Sequence, residues 1–290
     1  MSNRWAITRL GEMSHALRFH SDKVEDEFWL LVQADEHTDN FKTDLTLLKE
    51  HHDLAKQRNA PIVKVGDIFC AMQGKWDPRS DQNQLRPELR GNHYLDLLVD
   101  FHEKFYGPYA ENIALACYGN HETSISKRHQ TDLLQRLVDR LRQLGSQCLT
   151  GGYAGFIRIQ FVMGKSQIAP SASRDLYYHH GFGGGGEVTR GMIDNNRVRS
   201  MAVADIVVQG HIHRKNFDQN EIHMLDHSGN AVQRDQYFLR CGSYKDESGP
   251  SGYHVENGRG PRPKGGWWLK FEVHRFSDQV TVKTTPIPAN

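Results

Sequence analysis

Cysteine is scarce and unpatterned: Cys70, Cys117, Cys148 and Cys241 share no paired spacing, which excludes a disulfide framework and a zinc knuckle. Cys117, inside the apolar run 113–117, reads as a buried strand residue. Charge of one sign is also missing. A formal net charge of +1 gives no global attraction to nucleic acid or to an anionic membrane, so any such surface must be a local patch. No stretch reaches the ~18 consecutive apolar residues of a membrane span, and the start, Met1-Ser2-Asn3-Arg4, lacks the apolar run of a signal peptide. A cytoplasmic protein without membrane contact is expected, or one of the host cytoplasm if a phage encodes it. No internal repeat or linker divides the chain. One domain over 1–290 is expected, with a core over 27–245 and a C-terminal extension over 246–290.

What is present is core material and histidine. Hydrophobic residues make up 38% of the 290 residues, enough for an ample core. The 17 histidines stand mostly beside Asp, Gly or Asn rather than along helix faces. The apolar run 28–34 predicts a buried strand, 42–57 a helix, 61–65 a second strand, 93–105 a helix and 113–118 a third strand. Leu133, Leu134, Leu137, Val138, Leu141 and Leu144 keep a helical period over 131–144. Alternation over 156–161 predicts a half-exposed strand of a second sheet. Short strands are expected at 176–178 and 206–208, and a closing strand follows Trp267-Trp268-Leu269-Lys270-Phe271.

Five short motifs fall where these strands end: Asp35-Glu36-His37, Gly66-Asp67, Gly119-Asn120-His121-Glu122, His179-His180-Gly181 and Gly210-His211-Ile212-His213. Ligands of open α/β sheets gather beyond the carboxyl ends of strands, so the motifs are expected to converge on one edge. Asp and Asn oxygens with imidazole nitrogens form the mixture that borderline divalent metals favour. Two such ions about 4 Å apart can clamp a phosphate and activate a water. Each motif alone is unremarkable: an Asp and a His after a strand are often an ordinary turn, and two loop histidines are often only surface. The ordered set is the signal.

In this order the motifs resemble the calcineurin-like metallophosphoesterase superfamily, which includes Mre11-type nucleases, Ser/Thr phosphatases and cyclic-nucleotide phosphodiesterases. The match spans roughly 28–245, and Gly66 through Arg79 also resembles a phage and prokaryotic branch of uncharacterised phosphoesterases. The resemblance implies an α/β fold, a β-sandwich flanked by helices (α-β-β-α), with a dimetal site at strand carboxyl ends. It implies that Asp35, His37 and His213 hold one metal, that Asp67 bridges, and that Asn120, His211 and one of His179 and His180 hold the second, with His180 preferred. His121 would contact the phosphate and assist the leaving group as the catalytic residue. Two divalent ions are implied as cofactors, manganese first, with iron, zinc, nickel or cobalt as alternatives.

The expected activity is hydrolysis of a phosphoester by a metal-activated hydroxide, with a phosphodiester of nucleic acid (DNA or RNA) or nucleotide type as the leading substrate. A phosphomonoesterase acting on a small molecule or phosphoprotein, and a non-catalytic scaffold, are the alternatives. Oligomeric state is left open. One departure disfavours a protein Ser/Thr phosphatase: Cys70 stands where those enzymes carry an Asp that supports the catalytic histidine, and Ala71-Met72 replaces their Arg-Gly. The glycine run 181–186 matches a dinucleotide fingerprint only superficially, because Asp205 precedes its strand instead of ending it. Lys127, Arg128, Arg190, Arg197, Arg199, Arg214 and Lys215 are basic candidates near the site, with a solvated surface as the plain alternative. Arg259, Arg262, Lys264 and Lys270 interleave with Tyr253, Trp267 and Trp268, which reads either as a stacking surface for bases or as a strand packed on the core.

Overall fold

The apolar run ending at Ala34 is a strand covered on both faces, and the other layers stack around it. The computed structural model describes residues 4–72, 82–164, 169–184, 186–226, 228–249 and 252–290. In chain order the elements are β1 (Trp5–Gly11), β2 (Ser14–Ser21), β3 (Glu25–Gln33), α1 (Leu45–Gln57), β4 (Ile62–Lys64), α2 (Tyr94–Tyr106), β5 (Ile113–Cys117), α3 (Asn120–His129), α4 (Leu133–Gln143) and β6 (Leu149–Gly151). They continue with β7 (Ala154–Met163), β8 (Ser171–His179), α5 (Met192–Arg199), β9 (Ile206–Gln209), β10 (Asn216–Leu225), β11 (Ala231–Arg240), α6 (Tyr253–Glu256), β12 (Trp267–Phe276) and β13 (Gln279–Pro288).

One sheet has the order β1-β2-β7-β8-β9-β11-β10 and the other β13-β12-β3-β4-β5-β6. Between them lies the main core, where Phe28, Leu30 and Val32 of β3 share a cluster with Leu17 and Phe19 of β2 and Ile157, Ile159 and Phe161 of β7. Leu31, on the opposite face of β3, packs with Ala55 of α1, Leu98 of α2 and Leu134, Leu137 and Val138 of α4. Burial on both faces explains why β3 reads as a continuous apolar run. On the outer face of the first sheet, Val198 of α5 packs on Tyr177, Val207 and Phe238. The result is the helix–sheet–sheet–helix sandwich that the resemblance implies. Each large apolar side chain buried this way contributes about 1.5–3 kcal/mol.

Helix starts follow side-chain caps. Asp44 accepts the N–H of Leu47 at 3.0 Å, and Asp132 accepts that of Gln135 at 2.9 Å. The expected helix at 42–57 accordingly begins at Leu45.

Strands on both sides of the expected core, 27–245, join the two sheets. β12 lies antiparallel against β3, with Leu269 opposite Leu30, so the tail supplies two strands of the second sheet. The unforeseen β1 and β2 likewise form an edge of the first sheet, and β2 runs parallel to β7. The hairpin β10–β11 was also unforeseen: β11 joins β9 in parallel register while β10 is exposed along most of its length. Of the stretch from Gly66 to Arg79, positions 73–79 lie outside the described residues. No helix among the described residues is long and apolar enough to cross a membrane.

Candidate metal centre

Three parallel strands of one sheet and two of the other end against each other. β3 delivers Asp35 and His37, β4 delivers Asp67, β5 runs into α3 with Asn120 and His121, β8 leads to His180, and β9 leads to His211 and His213. The loops after β3 and β4 remain laced together: Asp35 N–H donates to Gly66 O, His37 N–H to Asp67 O and Thr38 N–H to Ile68 O, each at 3.1 Å. Asp35, His37, Asp67, His211 and His213 all adopt positive φ, between 46° and 73°. Left-handed backbone is uncommon for residues with a Cβ and clusters where a site over-determines it.

Glycine supplies the closest approaches. A Cβ on Gly119 would lie 2.1 Å from Asp67 Oδ1 and 2.5 Å from its backbone nitrogen. A Cβ on Gly66 would lie 2.5 Å from His180 Nδ1. Asp67 and His180 can therefore sit where they do only because these positions carry no side chain.

The ligand-type side chains gather into two neighbouring groups, Asp35–His37–His213 and Asp67–His180–His211, each with donor atoms within 4.8 Å of one another. In the first, His37 Nε2 and His213 Nε2 are 3.1 Å apart and Asp35 Oδ1 is 3.5 Å from His213 Nε2. In the second, His180 Nε2 lies 3.2 Å from Asp67 Oδ2, and Asn120 Oδ1 lies 3.1 Å from His180 Nε2 and 2.8 Å from His211 Nδ1. Asp67 Oδ1 also accepts the N–H of His121 at 3.0 Å. His121 Nε2 stands 3.7 Å from Asp67 Oδ2, and its Nδ1 is hydrogen-bonded to the Cys70 carbonyl.

The donor set fits divalent cations. Asp35 Oδ1 and His37 Nδ1 are buried without a hydrogen-bond partner. Buried polar atoms are normally satisfied, so such orphans at a ligand cluster point to a missing partner. His180 Nδ1 is held by Val65 O at 2.8 Å and His213 Nδ1 by Glu247 Oε2 at 2.9 Å. Both contacts leave Nε2 facing inward, the arrangement that orients metal-binding imidazoles.

Electrostatics agree with a crowded site. Burial pushes the Asp35 carboxyl up to about 6, against the pull of His213 and His180. Burial opposes protonation of His180, but Asp67 and Asp35 outweigh it and raise this imidazole to about 10. His211 falls to about 4 through burial and the charge of His180. A further group, His37, Cys70 and His121, has metal-like spacing. Burial, with Asp39, pushes the Cys70 thiol up to about 12, so without a metal it is neutral.

His179, the alternative to His180, points elsewhere: its Nδ1 accepts the N–H of Gly181 at 2.9 Å, and its ring meets Phe182 edge-on. Lys215 is structural, donating to Lys264 O, Ala289 O and Asn290 Oδ1. Arg197 and Arg199 pair with Asp194 and Asp218. Trp267 and Trp268 are buried, and the Arg58 guanidinium lies 3.7 Å from the ring centre of Trp29 and 4.6 Å from that of Trp268. This removes them as a stacking surface for bases.

Three supporting carboxylates escaped the sequence reading. Glu122 accepts the N–H groups of Asp67, Phe69 and Gly119 at 3.0, 3.1 and 2.8 Å, tying two motifs together. Burial and the Asp67 charge push it up to about 8, while the N–H bonds of Phe69 and Gly119 act the other way. Its place in Gly119-Asn120-His121-Glu122 was the available signal. Glu247, which orients His213, lies 34 residues further on, and nothing local marks it. Asp39 grips the N–H groups of Cys70 and Ala71 and the Tyr94 hydroxyl. It thereby fixes the loop whose carbonyl holds His121.

No protein-family model matches the chain, and no curated protein matches it. Among solved structures it is similar to a conserved uncharacterized protein from Streptococcus pneumoniae TIGR4 described as a predicted phosphoesterase, with 11% identity over 90% of this chain and 99% of that one and a TM-score of 0.34. A metallophosphoesterase from Sphaerobacter thermophilus gives 12% identity over 90% and 89%, at a TM-score of 0.34. Vps29 from Entamoeba histolytica, complexed with zinc, gives 12% identity over 89% and 99%, at 0.33. At these scores the likenesses bear on neither activity nor ligand.

Proposed function

We propose that this chain is a metal-dependent phosphoester hydrolase acting preferentially on phosphodiesters of the nucleotide or nucleic-acid kind. The supporting observation is the pair of N,O donor groups that meet beside Asp67, with His121 Nε2 turned toward the same place. Asp35, His37 and His213 would hold one divalent ion, Asn120, His180 and His211 the second, and Asp67 would bridge them. When bound, such ions supply Lewis-acid charge and lower the pKa of water. Manganese is the first choice for reconstitution among the metals that this donor set accepts.

His121 acts on the leaving oxygen. Its Nδ1–H is held by the Cys70 carbonyl, which fixes the ring, and Nε2, 3.7 Å from Asp67 Oδ2, would carry and deliver the proton. Glu122 and Asp39 hold the two loops that set the distance between this ring and Asp67.

The test is hydrolysis of bis-p-nitrophenyl phosphate against p-nitrophenyl phosphate by manganese-loaded protein, with Asp67→Asn and His121→Ala alongside. Preference for the diester, abolished in Asp67→Asn, is expected. His121→Ala should keep its metal and lose about 10²–10⁴ in turnover. Preference for the monoester would refute the diester assignment, and inactivity on both would leave a non-catalytic scaffold.

A further inference from the structure

Beside the candidate metal centre, a cavity of about 220 Å³ is lined by His211 and His213 and by Gly183, Gly184, Arg259 and Arg262. A second, of about 230 Å³, shares His213, Glu247, His254 and Arg262 and adds Lys245 and Lys264. The walls therefore combine ligand-type imidazoles with cations from a part of the chain outside the metal motifs.

Three guanidinium groups in this region converge on one carboxylate. Arg214 Nη1 lies 3.0 Å from Glu187 Oε2, Arg262 Nη2 bonds Glu187 Oε1, and Arg259 Nε lies 3.9 Å from the same oxygen. The Arg262 side chain is only 5% exposed, while Glu187 is 40% exposed. Arg262 Nη1 donates to Ile212 O at 2.7 Å, between the two histidines of the Gly210–His213 motif, and its Nε is buried without a hydrogen-bond partner. A buried guanidinium with an unused donor, on the wall of two cavities, is a fork suited to phosphate. Of the carboxylates nearby, Glu247 is already engaged by His213, Lys245 and His254.

We infer that Arg214, Arg259 and Arg262 form an anion subsite for a second phosphoryl group of a small-molecule substrate, and that Glu187 holds this place in the free protein. The inference rests on the proposed reading of the metal centre only in placing the scissile phosphate there. A small molecule is favoured over a nucleic-acid strand because the cavities are small and the nearby tryptophans are buried.

The sign of one substitution separates this from a structural tether. Glu187→Gln removes the competing charge and is expected to bind inorganic pyrophosphate about tenfold more tightly than wild type, whereas a tether would bind no better once cut. Arg259→Ala is expected to bind it about tenfold more weakly, and Arg259→Lys less weakly than that. Calorimetric titration of metal-free protein with pyrophosphate, and with inorganic phosphate for comparison, avoids chelation by the probe. Unchanged or weaker binding by Glu187→Gln, unchanged binding by Arg259→Ala, or tighter binding of a hexathymidylate than of pyrophosphate would each overturn the assignment. Bis-p-nitrophenyl phosphate turnover, measured in parallel, reports on the metal centre: its absence with the pyrophosphate results intact would sink the proposed hydrolase and leave the subsite standing.

Discussion

Replacing Lys64 by methionine removes the cation that faces Glu36 inside the second sheet's helical layer. Lys64 Nζ lies 2.7 and 2.9 Å from the two Glu36 oxygens, with the side chains 2% and 0% exposed. The Tyr106 hydroxyl donates to the same carboxylate, and its ring centre is 4.1 Å from Nζ. Methionine fills most of the lysine volume, so the cavity contribution is small. What is lost is two hydrogen bonds to a charge that cannot reach water, each about 1.5–3 kcal/mol. Removing one partner of a buried pair typically costs about 3–5 kcal/mol, in the same range. Urea unfolding at pH 7 and 25 °C should show a loss of that size with an unchanged slope. The double variant Glu36→Gln/Lys64→Met, which keeps an acceptor for Tyr106, should recover about 2 kcal/mol of it. A loss below about 1 kcal/mol for the single variant, or a double variant as unstable as the sum of both singles, would refute the reasoning.

Asp39→Asn should loosen the Cys70 loop and lower kcat about 10- to 100-fold, with KM and metal content little changed; an unaltered kcat would show that the loop holds itself. Gly119→Ala drives a Cβ into Asp67 side chain and backbone alike, so metal stoichiometry by atomic absorption should fall while far-UV circular dichroism is retained. His15 is buried with neither ring nitrogen bonded, and burial, aided by Arg9, lowers it to about 4. Between pH 6.5 and about 4 the unfolded chain then binds more protons than the native one, so stability falls as pH drops through that window. His15→Phe should make the fall in melting temperature across it shallower, with His51 and His211 still contributing, and an equally steep profile in the variant would count against this cause.

The gathering of the candidate side chains was legible where chemistry is local. Asp35, His37, Asp67, Asn120, His121, His211 and His213 each stand at the end of an apolar run, and strand ends were readable from those runs. Which of His179 and His180 faces the cluster was not, because both follow the same strand; Asn120 and Asp67, beside His180, arrive from other elements. Glu247 and Asp39 act through tertiary contacts with no spacing to betray them. In the fold, β1, β2 and the hairpin β10–β11 escaped because their polar faces dilute the apolar signal, as the mostly exposed β10 shows. The place of β12 beside β3 depends on pairing across more than 200 residues, with Trp267 opposite Val32.

On the proposed reading, the left-handed backbone at Asp35, His37, Asp67, His211 and His213 would make the site a liability to a chain stripped of metal. Strain of this kind costs about 1–3 kcal/mol per residue and is relieved by glycine. A thermostability screen run in chelator would therefore enrich glycine at these positions and return hardy proteins that have forgotten how to bind an ion. The same library screened in the presence of the metal would keep them.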